Sequence, residues 1–280
     1  MSILQAIVLG LTQGITEFAP ISSSGHLILV PWLFGWDKLG SADLDKAFDV
    51  ALHVGTLVGA VLYFRTDLWR YLQAWLGSIR HRRIASTDER LAWALVIGTI
   101  PGAVVGATFE GLIQDELGAA ALIAVMLAVF GVVLYLVDKR LPQTRSIEDV
   151  TVRHGLILGV AQAVALQPGV SRSGVTITAG RLLKLDRASA ARFSFLLSIP
   201  IIAGAGLYEG VDLVRDGFPS GSTGVFVAGM ISAAISGFAV IAFLLSYLRR
   251  RDFAVFMWYR LGLAALVLLL IATGVRPSVA

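Results

Sequence analysis

The chain has 280 residues, of which 56% are hydrophobic and 15% charged, and its mean hydropathy is +0.79. A soluble domain carries about 25% charged residues, so this composition excludes an ordinary soluble protein and indicates a polytopic membrane protein. The absence of cysteine excludes disulfides and thiolate metal sites. The net charge of +4 comes from basic residues in short loops beside apolar segments, which is typical of cytoplasmic loops and not of nucleic-acid binding.

Six apolar stretches are long enough for a membrane-spanning helix, which needs about 20 residues. They cover residues 47–64, 90–112, 117–138, 189–208, 222–246 and 254–274. Two more apolar regions, 2–34 and 153–184, are interrupted near the middle by Pro, Ser and Gly. Because each half of these regions is too short to cross, each region predicts a re-entrant hairpin of two helices.

Basic residues predict which connections face the cytoplasm. They concentrate in the connections 65–90 and 139–153, in the 180s and in Arg249-Arg-Arg251, all of which the positive-inside rule places in the cytoplasm. The connections 35–46 and 209–221 are more acidic and are predicted to be external. Six spans and two hairpins reproduce this alternation, with the first hairpin on the external side and the second on the cytoplasmic side.

The two interruptions carry the same motif. At an offset of 149 residues (22 to 171), these pairs match without a gap: Gly10 and Gly159, Gln13 and Gln162, Ser22 and Ser171, Ser24 and Ser173, Gly25 and Gly174. Each motif is accompanied by three spans, an odd number, so the halves have opposite orientations. The sequence therefore predicts an all-α polytopic membrane protein, a single domain over 1–280, built as an inverted repeat of about residues 1–115 and 153–280. Broken helices in corresponding halves indicate a binding site.

Ionisable residues within the apolar segments are the first candidates for that site. Glu17 lies about one turn before the first serine-rich loop, and Gln13 is four residues earlier on the same helix face. A charged group at this depth is expensive and indicates function. Arg172 lies between Ser171 and Ser173, and a guanidinium binds phosphate oxygens in a bidentate manner. A structural ion pair, for example with Glu17, is the alternative role for Arg172, and it is compatible with phosphate binding.

The first loop adds a histidine and a run of serines. His26 can accept or donate a proton near neutral pH. The serines at 22–24 exceed what a helix cap needs, and hydroxyls with free N–H groups at a helix N-terminus bind anions. Ser23 becomes a nucleophile if His26 takes its proton. His53 is a rival histidine, with Asp49 one turn earlier, and we expect it to make a structural contact.

The segments Gln13-Gly-Ile-Thr-Glu-Phe-Ala-Pro-Ile-Ser-Ser-Ser-Gly-His26 and Pro168-Gly-Val-Ser-Arg-Ser-Gly-Val-Thr176 closely resemble the bacterial undecaprenyl-diphosphatase family, also called bacitracin-resistance proteins. The resemblance covers nearly the whole chain. It implies a multi-pass enzyme of the bacterial inner membrane that hydrolyses undecaprenyl diphosphate to undecaprenyl phosphate and inorganic phosphate. This reaction recycles the lipid carrier of peptidoglycan and other cell-wall polymers and confers bacitracin resistance.

The resemblance also implies roles for individual residues. The family's Glu/Gln-x-x-x-Glu motif falls on Gln13 and Glu17, its histidine on His26, and its Pro-Gly-x-Ser-Arg-Ser motif on residues 168–173. A divalent cation, Mg²⁺ or Ca²⁺, is implied, shared between Glu17 and the substrate diphosphate. Because residue 13 is Gln, Glu17 is the remaining carboxylate of the motif. An active site facing the periplasm is implied, and a homodimer is one option for the assembly.

The predicted catalytic residues are Glu17, Ser23, His26 and Arg172. The predicted substrate-binding residues are Gln13, Ser22, Ser24, Gly25, Gly169, Ser171, Ser173, Gly174, Thr176 and Thr178. Arg172 and the loop N–H groups are expected to hold the terminal phosphates, because phosphoryl transfer depends on positioning and charge stabilisation. The attacking group is either Ser23 activated by His26, or a water activated by His26 or Glu17.

Two other functions fit parts of the pattern. Inverted repeats with broken helices are a transporter architecture, so the same anion site could belong to a transporter or flippase of a phosphorylated lipid. The acid-phosphatase-like lipid phosphatases share Ser-Gly-His and Ser-Arg elements that are similar to residues 24–26 and 171–172. Their histidine six residues after the arginine is replaced here by Thr178, which argues against that superfamily.

Overall fold

The structure is a computed structural model, and it describes residues 1–36, 39, 42–116, 118–216 and 222–278, without the side chains of 42, 43, 109–116 and 209–216. The described residues form ten α-helices and one 3-10 turn, Ile147–Asp149, with no strand beyond an isolated bridge between Arg145 and Leu185. In chain order the helices are α1 (Ile3–Phe18), α2 (Ser23–Phe34), α3 (Ala42–His81), α4 (Thr87–Glu116), α5 (Ala120–Arg140), α6 (Val152–Val164), α7 (Arg172–Leu182), α8 (Arg187–Asp216), α9 (Thr223–Tyr247) and α10 (Ala254–Ala272).

Among the described residues, six helices are long and apolar enough to cross a membrane, namely α3, α4, α5, α8, α9 and α10. The expectation of an all-α, multi-pass membrane protein with six candidate spans is therefore confirmed. Parts of the connections predicted to be external, including Asp37 and residues 217–221, lie outside the described residues.

Helix α3 extends much further than its predicted span of 47–64. It continues to His81, so most of the connection 65–90 is helical rather than a loop. Tyr71 and Ser78 are buried in this extension, and Ser78 Oγ accepts a hydrogen bond from Trp93 Nε1 at 2.8 Å. The extension is held by packing against α4, whereas its charged residues lower the hydropathy and conceal the helix in the sequence. Similarly, the α8 helix runs on to Asp216, into the predicted connection 209–221.

Four shorter helices form the two interrupted regions. By the helical rise, α1 and α2 are about 24 and 18 Å long, and α6 and α7 about 20 and 17 Å, all below the roughly 30 Å of a bilayer core. Within each pair the helices pack against each other, α1 on α2 and α6 on α7. The breaks fall at the two motifs, as the sequence predicts.

The short helices are held in the bundle by close helix pairs. Helix α1 packs on α9 and α4 packs on α6, while α3 contacts α8 and α5 contacts α10. Small residues permit the closest approaches: a Cβ at Gly159 of α6 would overlap the Gly98 carbonyl of α4. At the end of α1, the ring of Phe18 meets that of Phe195 edge to face at 5.4 Å. This contact fixes the turn that carries Glu17 against α8.

Candidate active site

Both motif loops end in a serine with the same unusual backbone conformation. Ser22 precedes α2 with φ of 77°, and Ser171 precedes α7 with φ of 76°. Each hydroxyl caps its helix by accepting an N–H bond, from Gly25 at 3.3 Å and from Gly174 at 3.1 Å. A positive φ is rare for serine, and such strain concentrates at functional sites. The repeated motif therefore has one local structure in both copies.

The two loops are in direct contact. The Gly169 N–H of the second loop donates to Ser22 Oγ of the first at 3.1 Å. In return, Ser173 Oγ donates to the carbonyl oxygen of Ala19 at 3.0 Å. Gly169 has φ of 92°, which a residue with a Cβ would rarely adopt, and a Cβ there would also press on α5. The N-termini of α2 and α7 consequently lie side by side.

Glu17 is the centre of the polar cluster between the loops. Its side chain is 5% exposed. Oε1 accepts a hydrogen bond from Arg172 Nη2 at 2.8 Å, so the ion pair that the sequence allowed is present. Oε2 accepts from Ser23 Oγ at 2.6 Å and from Gln13 Nε2 at 3.1 Å. One carboxylate thus joins a serine of the first loop to the arginine of the second.

Arg172 is further positioned by α8. Its Nη1 donates to the carbonyl oxygen of Ser194 at 3.1 Å. The Ser194 hydroxyl also lies 2.6 Å from Thr176 Oγ1, and Thr176 donates to the Arg172 carbonyl at 2.7 Å. Sequence reasoning missed Ser194, because a serine in an apolar span has no distinguishing signal. Thr178, by contrast, donates to the Gly174 carbonyl of its own helix at 2.7 Å.

His26 is not joined to Ser23. Its Nδ1 lies 2.6 Å from the Ser22 carbonyl oxygen and its Nε2 lies 2.8 Å from the Tyr259 hydroxyl. Because a carbonyl can only accept, Nδ1 carries a proton, and the Tyr259 hydroxyl donates to Nε2 of the neutral ring. The Ser23 hydroxyl is directed instead to Glu17, so the structure does not form the predicted Ser23–His26 pair.

The rival histidine, His53, lies beside the carboxylate. Its Nε2 is 3.6 Å from Glu17 Oε2, and its Nδ1 donates to the Asp49 main-chain carbonyl at 2.8 Å. The expected structural contact is therefore made to the backbone of Asp49, while the other ring nitrogen, Nε2, lies near Glu17. The His53 side chain is 33% exposed, whereas that of Arg172, which also contacts this carboxylate, is 14% exposed.

Arg260 of α10 is a site residue that the sequence analysis missed. Its side chain is fully buried, and it donates to carbonyl oxygens of both motif loops and of α5. The signal was present in the sequence, since Arg260 is a charged residue within an apolar span.

The cluster is suited to bind an anion. Among the described residues, the first N–H groups of both helices, at Ser23, Ser24, Arg172 and Ser173, have no backbone partner. Unpaired N–H groups at a helix N-terminus attract negative charge. Arg172 and Arg260 contribute two positive charges, against one negative charge from Glu17. The remaining hydroxyls are close by, with Ser22 and Ser24 Oγ 3.4 Å apart and Ser171 and Ser173 Oγ 3.2 Å apart.

The donors for a cation are few. Within the described ranges there is no group of three or more His, Cys, Asp or Glu residues that could hold a metal. Gln13 Oε1 is buried without a hydrogen-bond partner and belongs to the same side chain that binds Glu17. One carboxylate and one amide oxygen are hard ligands, and they fit a cation that takes its other ligands from a bound diphosphate.

Comparisons with known proteins agree with this architecture. Residues 6–266 match the family model described as "Bacitracin resistance protein BacA". The chain is 47% identical to the undecaprenyl-diphosphatase of Pelotomaculum thermopropionicum over 96% of this chain and 97% of the relative. It is 44% identical to that of Pelobacter propionicus, over 98% and 99%, and 46% identical to that of Thermomicrobium roseum, over 99% and 100%. The chain therefore belongs to the bacitracin resistance protein BacA family.

Proposed function

We propose that this chain hydrolyses undecaprenyl diphosphate to undecaprenyl phosphate and inorganic phosphate. The observation that carries the proposal is the cluster of Ser23, Glu17 and Arg172 between two helix N-termini. A hydroxyl, a carboxylate and a guanidinium in contact can supply the attacking group, the base and the phosphate-binding group of phosphoryl transfer. The relatives named undecaprenyl-diphosphatase supply the identity of the substrate. Such a reaction would recycle the lipid carrier of cell-wall polymers and counter bacitracin.

Binding begins with exchange of partners at Arg172. In the structure this guanidinium is neutralised by Glu17, at 2.8 Å. The terminal phosphate of the substrate takes over the guanidinium and the unpaired N–H groups of α2 and α7. The Ser194 carbonyl keeps Arg172 in place during this exchange. Glu17 is then free to act as a base.

The chemical step uses the Ser23–Glu17 hydrogen bond of 2.6 Å. Ser23 Oγ attacks the terminal phosphorus, its proton passes to Glu17 Oε2, and the bond to the bridging oxygen breaks. Undecaprenyl phosphate leaves and takes up that proton. Water then attacks the phosphoserine and gives one proton to Glu17, inorganic phosphate is released, and Ser23 Oγ regains the proton. A water activated directly by Glu17 is the other route.

A divalent cation, Mg²⁺ or Ca²⁺, belongs to this proposal. Glu17 and Oε1 of Gln13 would hold it together with oxygens of the diphosphate. When bound, it supplies neutralisation of the charge on the phosphates. The substrate is thus part of the cation site, which agrees with the small number of protein ligands.

The membrane arrangement is also a proposal. The pairs α1–α2 and α6–α7 are re-entrant hairpins in an inverted repeat of the bacterial inner membrane, and the head group is reached from the periplasm. The shortness of the four helices supports the hairpins. The packing of α1 on α9 and of α6 on α4 supports the repeat, because α6 corresponds to α1 and α4 to α9 in chain order. The isoprenoid chain would lie among the spans in the lipid.

The test is release of inorganic phosphate from a long-chain polyprenyl diphosphate by purified protein in detergent. The proposal predicts release that rises with Mg²⁺ or Ca²⁺. If reconstituted vesicles instead moved the lipid across the bilayer with no phosphate released, the alternative of a transporter or flippase would replace it.

A further inference from the structure

Arg260 joins both motif loops to a third element. Its Nη1 donates to the Pro20 carbonyl of the first loop at 3.1 Å. Its Nη2 donates to Gly169 and Val170 of the second loop at 2.9 and 3.1 Å. Its Nε donates to the Leu127 carbonyl of α5 at 2.7 Å. One side chain therefore fixes the distance between the loops and their depth relative to α5.

Among the described residues, this buried cation has no carboxylate partner. Within the part of the chain that the structure describes, the hydrogen bonds of Arg260 go to carbonyl oxygens, and it forms no ion pair. Arg181, which is also fully buried, is by contrast paired with Asp138 at 2.9 Å. Burying an unpaired charge is costly, so folding stability alone does not explain a buried arginine at position 260.

The contacts of Arg260 also set the direction of a loop N–H group. In a trans peptide the C=O and the following N–H point in opposite directions. Because the Val170 carbonyl points at Arg260, the Ser171 N–H points away from it, and this N–H has no backbone partner among the described residues. By binding the Val170 carbonyl, the guanidinium thus orients the free Ser171 N–H away from itself. Its own positive charge lies on the opposite side of the second loop.

The preceding residue, Tyr259, acts on the first loop. Its hydroxyl donates to His26 Nε2 at 2.8 Å, and His26 Nδ1 donates to the Ser22 carbonyl at 2.6 Å. Ser22 is the positive-φ residue whose hydroxyl caps α2 and accepts the Gly169 N–H. The chain from Tyr259 to Ser22 therefore stabilises the strained turn on which the contact between the loops depends.

We propose that Tyr259 and Arg260 of α10 are positioning residues that hold both motif loops in the geometry needed for phosphoryl transfer. This inference rests on the proposed function, but it makes a structural claim that can be measured without turnover. Misplacement of a reacting group by about 1 Å costs about 10²-fold in rate. Loss of these loop contacts of Tyr259 and Arg260 should accordingly lower kcat more than it raises KM.

The test uses Arg260→Lys, which keeps the charge but cannot bridge the same carbonyls. Arg181→Lys is the matched control, because Arg181 is equally buried and also binds carbonyls, but at the other end of α7. We expect Arg260→Lys to lower kcat at least about 10-fold with KM within about threefold. We expect Arg181→Lys, corrected for the folded fraction, to keep kcat within about twofold.

Hydrogen exchange measured by mass spectrometry provides the second readout. Arg260→Lys should speed exchange in residues 20–25 and in 168–174, whereas Arg181→Lys should speed it only around 138–145 and 181–187. Tyr259→Phe should speed exchange mainly in 20–25, and less in 168–174, where the Gly169 N–H bonds to Ser22. It should also lower kcat by a few-fold, with the exposed Trp258→Phe as its control. If wild type released no phosphate, the proposed function would fail. The exchange comparison would still show whether Tyr259 and Arg260 hold the two loops in place.

Wild-type kcat together with unchanged exchange in both loops of Arg260→Lys would overturn the inference. Should Arg260→Lys not fold, Tyr259→Phe decides. Exchange in 20–25 and turnover equal to those of Trp258→Phe would then refute it.

Discussion

Ser23 and Arg172 occupy the same position in the two copies of the motif, 149 residues apart (23 to 172), and both bind the carboxylate of Glu17. Ser23 donates to Oε2 at 2.6 Å and Arg172 to Oε1 at 2.8 Å. The two loops have the same backbone conformation but have diverged at this position. One copy contributes a hydroxyl and the other a cation, and the single carboxylate between them comes from the first copy alone.

Replacing Ser23 separates the two routes of attack. If Ser23 is the nucleophile, Ser23→Ala should lower kcat by about 10³-fold or more, because the covalent route is lost. Acid-quenched wild type should also contain phosphoserine at residue 23, detectable by mass spectrometry. Ser24→Ala, which removes a neighbouring hydroxyl that does not touch Glu17, should cost far less. Nearly full activity of Ser23→Ala would establish attack by water.

Replacing Glu17 should have opposite effects on turnover and on anion binding. Glu17→Gln removes the base, for which a loss of about 10²–10⁴-fold is expected. It also frees Arg172 from its resting ion pair, so inorganic phosphate should bind more tightly than to wild type. Isothermal titration calorimetry with inorganic phosphate measures this change in affinity. Weaker phosphate binding by Glu17→Gln would contradict a site in which Glu17 competes with the anion for Arg172.

The positions of His26 and Tyr259 predict non-additive mutations. Because the contact of Tyr259 with the loop, among the described residues, is made through His26, His26→Ala should remove most of what the Tyr259 hydroxyl contributes. The double variant with Tyr259→Phe should then be about as active as His26→Ala alone, in a double-mutant cycle on kcat. Additive losses would mean that the two side chains act independently.

The close contact of α6 with α4 predicts a glycine requirement at residue 159. A Cβ there would overlap the Gly98 backbone, so Gly159→Ala should destabilise the protein by about 1–3 kcal/mol. Gly204 of α8 is the matched control, because a Cβ at that position meets no atom within 4 Å. Thermal unfolding in detergent compares the two variants. Equal midpoints would indicate that the two helices do not pack as closely as described.

The parts of the site that the sequence predicted are those with a local signal. The breaks in the apolar regions, the serine caps and the Glu17–Arg172 ion pair follow from residue types and from the repeat. Ser194 and Tyr259 could not be found in this way, because their roles depend on which helices touch. Arg260 carried a signal, a charge within a span, but its partners are main-chain carbonyls, which no side-chain pattern reveals.

The predicted pairing of Ser23 with His26 shows a second limit. The two residues are three positions apart in one helix, so the sequence permits a contact. The structure instead assigns the hydroxyl to Glu17 and the imidazole to Ser22 and Tyr259. Tyr259 of α10 binds the His26 ring and thereby fixes its orientation. The position of α10 relative to α2 cannot be read from the motif.

The most direct measurement is phosphate release from undecaprenyl diphosphate by purified wild type, Arg172→Ala and the exposed-surface control Arg249→Ala. We expect release by wild type and by the control, and a loss of about 10³-fold or more in Arg172→Ala, because the Arg172 guanidinium binds the terminal phosphate. Turnover of folded Arg172→Ala close to that of wild type would contradict the assignment of the active site to the two motif loops.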